Sequence, residues 1–383
     1  AGQAAVQFGA GVDQILEFIV PQLESNGRDV EEFNKLFREQ QAEAQAAAND
    51  SDVIVAGLVG RGGGGLTAMT FAAREGDLES TKILVAAGAD INETTEYGWT
   101  PLLTATNNRH YQLATWLVEH GADVNLQNKG GWTPLYLATD NRNIEGGDYP
   151  VARPDMNDLE FITVLLDHGA DPNLRAKDDT LTRTIFTMQW FFEAGATPFV
   201  RAAQSGDVDL MKLLLAHGAD PKLATDFGDT ALSVAAGIGW VEGVTYEHSR
   251  AANAEAVKLL LDLGLDVNSA NRDGRTPLMG AALKGRSEVV QLLVDKGAKL
   301  DTRDHGSRDT DTSVSKIAGH TWEALDYADG LVRVGVQSAV THPDTAALLR
   351  QLMTAQGLAV PPANRIVDSI CIVEICKERQ PAP

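Results

Sequence analysis

Two phrases in this chain return after 33 residues: Gly88-Ala89-Asp90-Ile91-Asn92 as Gly121-Ala122-Asp123-Val124-Asn125, and Thr100-Pro101-Leu102-Leu103-Thr104-Ala105 as Thr133-Pro134-Leu135-Tyr136-Leu137-Ala138. A fixed period of this length constrains folding more than any other feature here. A unit so small cannot bury its own apolar face, so units must stack and the core grows along the chain. Each phrase has a physical role. Thr starts and caps a helix, and Pro suits its first turn, where an N–H would be unpaired. Leu and Ala let that helix lie close to its neighbours. Gly76 turns the chain, Ile83 and Leu84 pack a second helix inward, and Gly88 stops it in a left-handed conformation. The Asp-x-Asn that follows opens an extended finger loop.

The pattern begins at Leu66-Thr67-Ala68-Met69. It continues from Glu96 to Asn125 and again from Gly131-Trp132-Thr133. Later units open at Thr197-Pro198, Thr230-Ala231 and Thr276-Pro277, and a degenerate seventh uses Ala324 to Ala328 and Thr345 to Gly357 as a C-terminal cap. Some units are stretched. Gly121 to Gly169 is 48 residues, which places 15 extra between the helices, about Asn143 to Asn157. Gly218 to Gly264 is 46, which places 13 extra around Trp240 to Asn253. The finger from Asn173 to Thr197 carries 16 extra residues, including Phe186, Trp190, Phe191 and Phe192.

T-P-L-x-x-A at this period resembles the ankyrin repeat. The resemblance covers about residues 66–357, between an irregular helical segment (1–65) and a tail (358–383). It implies an all-α solenoid of six to seven helix-turn-helix repeats with finger loops. It further implies a non-catalytic scaffold that docks another protein on the concave surface of finger loops and first helices. The residues expected to bind the partner are Tyr97, Trp99, Arg109, His110, Tyr111, Trp132, Tyr136, Asp226, Phe227 and, on the aromatic insertion, Trp190. Trp99 and Trp132 occupy equivalent finger positions and should be neighbours. More narrowly, the chain looks like bacterial ankyrin-repeat proteins with long inter-helix insertions. It departs from the pattern at those insertions and at Lys222, where the finger usually has Asn.

Charge and composition exclude other classes. A net charge of −21 without a Lys/Arg block argues against nucleic acid. No apolar run is long enough to span a membrane. Gly62 to Gly65 lacks the Lys-Ser/Thr of a phosphate loop. No nucleophile or zinc-protease motif occurs, so neither a metal nor a cofactor is expected. His120, His168 and His217 each precede Gly-Ala-Asp, where a His serves the end of a helix. Cys371 and Cys376 lie five apart. A local disulfide would need a bend, since an extended strand puts them roughly 16 Å apart, and free thiols are the alternative. Sparse, paired cysteine favours a periplasmic or extracellular protein, with a cytoplasmic one as the alternative.

Gly9 to Asp13 looks like the end of a repeat, which predicts at least one earlier repeat upstream of Ala1; a helical N-terminal cap is the alternative. Two rivals to the scaffold stay open. One is a self-associating component of a larger assembly. The other is an enzyme or small-ligand binder built on the insertions, with Asp148, Tyr149 and Asp155 facing Trp240, Glu242, Tyr246 and Glu247 across a groove.

Overall fold

A computed structural model describes residues 65–144, 153–178, 192–305, 321–332 and 340–363. Among them are 14 helices and no strand, arranged as seven successive pairs. The first helices are α1 (Ala68–Glu75), α3 (Pro101–Asn107), α5 (Pro134–Arg142), α7 (Pro198–Gln204), α9 (Ala231–Ala236), α11 (Pro277–Leu283) and α13 (Ala324–Ala328). The second helices are α2 (Leu78–Ala86), α4 (Tyr111–Glu119), α6 (Asp158–Asp167), α8 (Val208–Ala216), α10 (Arg250–Asp262), α12 (Ser287–Asp295) and α14 (Pro343–Ala355). Each first helix packs on the next, from α1 through α13. The N-terminal segment, residues 145–152, Trp190 and the Cys371–Cys376 pair lie outside the described residues.

The capping and turn phrases perform the expected local work, but Ile83, expected to pack inward, is 68 % exposed on α2. The hydroxyls of Thr67, Thr100, Thr133, Thr197 and Thr230 each accept the backbone N–H three residues on, capping five first helices. Pro101, Pro134, Pro198 and Pro277 occupy the first turn. Behind each cap the same two positions face inward. Leu102, Leu135, Phe199, Leu232, Leu278 and Leu325 are buried, as are Ala105, Ala138, Ala202, Ala235, Ala281 and Ala328. The small Ala permits close approach of neighbouring first helices, and the larger side chain fills the layer between them. Leu117, Leu165, Leu214, Leu260, Leu293 and Leu349 do the same for the second helices. Loss of one such Leu methyl cluster costs about 2–5 kcal/mol.

At the C-termini of α4, α6 and α8, the Nδ1 atoms of His120, His168 and His217 lie 2.7, 2.8 and 2.9 Å from the carbonyls four residues back. Beyond these ends runs a ladder of asparagines. Asn125 Oδ1 accepts from Asp171 N–H (2.8 Å), and its Nδ2 donates to Gly169 O (2.9 Å). Asn92, Asn173 and Asn268 make the same two bonds to the following repeat. Each rung pairs backbone groups that helix ends leave open. Lys222 stands at the one rung position between the second and sixth repeats where no amide is present, and it is exposed.

The fifth-repeat insertion is a strap, Gly237 to Ser249, and it is shorter than the spacing predicts. The second helix begins at Arg250, so α10 absorbs four of the expected loop residues and Asn253 is a buried helix residue donating to Ala235 O (2.6 Å). Ser249 caps α10 and so moves the boundary. The strap lies close against the array. At Gly280 in α11 a Cβ would come within 2.7 Å of Ile238 N, so this approach requires glycine. Glu247 pairs with Lys284 (2.6 Å) and with Arg286 in the sixth repeat. Trp240 lies beneath both cations, at 5.4 and 5.8 Å from its ring centre. In the other direction His248 N–H donates to Ser205 O (3.1 Å), and its Nε2 lies 3.1 Å from Asn143 Oδ1 and 3.4 Å from Asp207. Burial would raise the Asp207 pKa, but hydrogen bonds from His248 and Arg142 outweigh it and hold the carboxyl well below the usual range. Burial pushes Lys284 down to about 8 against the pull of Glu247.

Lys222→Asn restores a rung and raises stability by about 1 kcal/mol, whereas Asn125→Ala lowers it by about 1–2 kcal/mol; urea midpoints measure both, and an unchanged midpoint in Asn125→Ala would remove the ladder from the stabilising contacts. Glu247→Gln leaves the buried Lys284 ammonium without its carboxylate. It should cost about 3 kcal/mol and speed amide exchange across residues 237–249; unchanged exchange there would mean that the ion pair does not hold the strap.

Candidate functional site

The fingers are built from one local device repeated. In the second finger Asn128 N–H donates to Trp132 O, and Asn128 Oδ1 accepts from Trp132 N–H (3.0 Å). Thr95 and Trp99, Thr225 and Asp229, and Asn271 and Arg275 close three further loops in the same way, while Ala176 and Ala196 share only the backbone bond. The glycine inside each loop, Gly98, Gly131, Gly228 or Gly274, has φ between 74 and 90°, a conformation other residues seldom adopt. At Gly131 a Cβ would also strike Lys177 N at 2.6 Å.

Neighbouring fingers are joined through their backbones. Lys129 N–H donates to Tyr97 O (3.1 Å), Lys177 to Gly130 O (2.9 Å), Asp226 to Ala194 O (2.8 Å), Arg272 to Phe227 O (3.0 Å) and His305 to Asp273 O (2.8 Å). The tips therefore form a comb in fixed register. Tyr97 is half-buried, with Lys129 Nζ 6.0 Å from its ring centre. Phe227 is half-buried between Phe192 (4.9 Å) and Arg272 (6.0 Å). Asp226 is exposed and pairs with Arg175 at 2.8 Å.

Several residues expected on the docking surface lie inside instead. Trp99 and Trp132 are neighbours, edge to face at 5.9 Å. Trp99 is half-buried, but Trp132 is 5 % exposed and its Nε1–H donates to Asp178 O (3.0 Å). Tyr111 is fully buried, stacked on Phe161 at 4.5 Å with its hydroxyl donating to Asp158 (3.1 Å). Burial first, and Asp158 second, push its phenol well above the usual range. Tyr136 is 1 % exposed and donates to Glu193 (2.9 Å). Arg109 is 8 % exposed and donates to Asn141 O (2.9 Å); its φ of 65° places it where other repeats turn with glycine. His110 Nε2 lies 3.0 Å from Arg74 O, so its ring closes the turn of the preceding repeat. Trp132, Tyr111, Tyr136 and Arg109 are thus buried and secure layers to one another, whereas Trp99 and His110 are half-buried.

The first helices present little else. Thr104, Leu137, Arg201, Val234 and Tyr327, at equivalent positions, are all buried. Of the insertion residues expected to wall a groove, Asp148 and Tyr149 lie outside the described residues, and Glu242 and Tyr246 are exposed. Trp240 is buried and Glu247 is engaged, while Asp155 accepts from Gln112 N–H (3.1 Å). Exposed polar residues with a common register remain at the finger tips. Lys129, Lys177, Arg272 and His305 were not singled out from sequence. Aligning the units on the glycine that ends each second helix would have placed them in one column, eight residues on from Gly121, Gly169, Gly264 and Gly297.

Asp229 occupies the finger position equivalent to Trp99 and Trp132. It is fully buried, with Oδ1 accepting from Asn271 Nδ2 (2.8 Å). Burial raises its pKa to about 6, opposed by the Asn271 bond and Arg275. The folded state therefore favours the protonated acid. Its contribution is intact below the unfolded pKa near 3.8 and is lost as pH rises through 6. Asp229→Asn should stabilise the array by on the order of 3 kcal/mol above pH 6 and leave it unchanged at pH 4. Equal effects at both pH values in urea titrations would contradict a buried, neutralised acid.

Comparison with known proteins places this geometry. The family model for ankyrin repeats (3 copies) matches residues 43–128, 69–176 and 199–304, which together cover well over half of the chain. The human ankyrin repeat and KH domain-containing protein 1 is 43% identical over 68 residues, 18% of this chain and 3% of that protein. The putative ankyrin repeat protein YahD of Escherichia coli (strain K12) is 39% identical over 51 residues, 13% of this chain and 25% of that protein. The chain thus matches only a small part of these relatives' lengths. Among solved structures, the ankyrin repeat domain of human ASB11 is 24% identical with a TM-score of 0.47, covering 78% of this chain and 100% of that one. An ankyrin repeat domain from Acinetobacter baumannii AYE is 27% identical with a TM-score of 0.45, covering 60% and 98%. With its period, capped helix pairs and finger comb, the chain belongs to the ankyrin-repeat family.

Proposed function

We propose that this protein is a non-catalytic scaffold that docks another protein along its finger edge. The observation that carries the reading is the comb itself. Six tips, from Glu96 to His305, are exposed while their backbones are fixed to the neighbouring fingers. A surface held rigid before binding loses little conformational entropy on association. The half-buried rings of Tyr97 and Phe227, each beside a cation, supply the aromatic anchors that concentrate binding energy. Burial of Trp132, Tyr111 and Tyr136 confines the proposed surface to the tips.

A second reading has its own observation. At the α1–α2 end Leu66, Phe71 and Ile83 are 48, 44 and 68 % exposed, an apolar group suited to self-association.

The whole chain, used as bait in an extract of its source organism, is expected to retain one specific protein through a salt wash. Tyr97→Ala combined with Phe227→Ala should lose that protein while circular dichroism stays unchanged. Retention of nothing but the chain itself would overturn the scaffold and favour assembly. In that case sedimentation should show a mass that grows with concentration and falls back in Ile83→Lys.

A further inference from the structure

The charge of this molecule is laid out unevenly. On the outer edge Asp90, Asp123, Asp171, Asp220 and Asp266 stand one per repeat, all exposed. The finger tips differ. Their shared position holds Glu96, Lys129, Lys177, Asp226, Arg272 and His305, again all exposed. Asp226 is engaged by Arg175, so from the second finger to the fifth the edge carries the cations Lys129, Lys177 and Arg272, with the imidazole of His305 beyond them on the sixth. This occurs on a chain of net charge −21. The cations are also placed in depth. Lys129 and Arg272 each lie over an aromatic ring of the preceding finger, which gives the edge apolar footing beneath its charge. The stem of Lys177 lies against Gly131 of the preceding finger.

We propose that the finger-tip edge, from Lys129 to His305, docks an extended, carboxylate-rich segment of the partner protein. This rests on the scaffold reading and names the chemistry of its occupant. Four layers at about 10 Å each span roughly 40 Å, the length of about 12 extended residues at ~3.3 Å apiece. Carboxylates spaced along such a segment meet the cations, and its apolar side chains meet Tyr97 and Phe227. The remainder of the protein repels the same segment from a distance. At 0.01 M salt the Debye length is about 30 Å and the whole anionic body is felt; at 0.1 M it is about 10 Å and the tips dominate; at 1 M, about 3 Å, the tips are screened as well. Affinity therefore passes through a maximum at intermediate ionic strength, a behaviour that a uniformly basic or apolar site does not produce.

The test uses the full chain and two dye-labelled 12-residue peptides, one alternating Glu and Tyr, the other alternating Lys and Tyr, followed by fluorescence anisotropy. The Glu peptide should bind tightest near 0.1 M salt, and Lys177→Glu with Arg272→Glu should weaken it by about tenfold or more. Lys212→Glu with Lys258→Glu makes the same change in net charge on exposed second-helix positions and should shift affinity by less than about twofold. Absent binding of the Glu peptide, preference for the Lys peptide, or equal loss in both double variants would overturn the inference. Bait capture separates this from the scaffold itself. A partner retained equally by the wild type and by Lys177→Glu with Arg272→Glu leaves a scaffold whose occupant is not acidic, whereas capture of no partner removes the scaffold.

Discussion

Each helix pair has an apolar face that its own residues cannot cover, and only the next pair can cover it. From that constraint most of the architecture follows. The first helices must approach closely, so the position three residues after each inward Leu or Phe is kept small, and Ala105, Ala138, Ala202, Ala235, Ala281 and Ala328 are all buried. Close approach leaves little room for error in register. Register is set by polar contacts at both ends of the layer: asparagine rungs beyond the second helices and backbone bonds between fingers. Apolar burial supplies the driving force and is tolerant of direction. The hydrogen bonds are individually modest, but they select one arrangement.

The insertions modify this nearest-neighbour logic. An ideal array couples each repeat only to the next. The strap of the fifth repeat reaches back through His248 to Ser205, Asn143 and Asp207 and forward through Glu247 to the sixth repeat. It thereby ties the third, fourth, fifth and sixth repeats together, and it crosses the fourth–fifth junction where Lys222 interrupts the ladder. A contact of this kind makes the middle of the array a larger cooperative unit than single repeats would form. The same strap covers the turns between helices, which moves the available surface toward the fingers.

The fold was legible because its signals are local. A Thr cap, a following Pro, a turn glycine and a His before Gly-Ala-Asp each act within a few residues of themselves. Their recurrence at one period reports stacking without any long-range information. The bounds of the fifth insertion were less legible, since Ser249 can cap a helix four residues earlier than the repeat spacing implies. The candidate site was read only in part. Tyr97, Phe227 and Asp226 do reach the finger edge, whereas Tyr111, Tyr136, Arg109 and Trp132 are large polar or aromatic residues that look like surface anchors in sequence. Their partners, Asp158, Glu193, Asn141 and Asp178, lie 32 to 57 residues away. No periodicity announces such pairings.

By itself the sequence determined the helix pairs, their order, the finger loops and the identity of the buried Leu and Ala columns, because capping, turn geometry and apolar spacing are properties of a few consecutive residues. Tertiary structure alone decided which polar and aromatic side chains remain available, since exposure depends on what the neighbouring repeat brings against them. It decided that Glu247 and Trp240 close a strap, and that Asp229 sits fully buried where three other fingers carry tryptophan. It also aligned Lys129, Lys177, Arg272 and His305 along one edge, because backbone bonds between fingers convert a position in the repeat into a place on the surface.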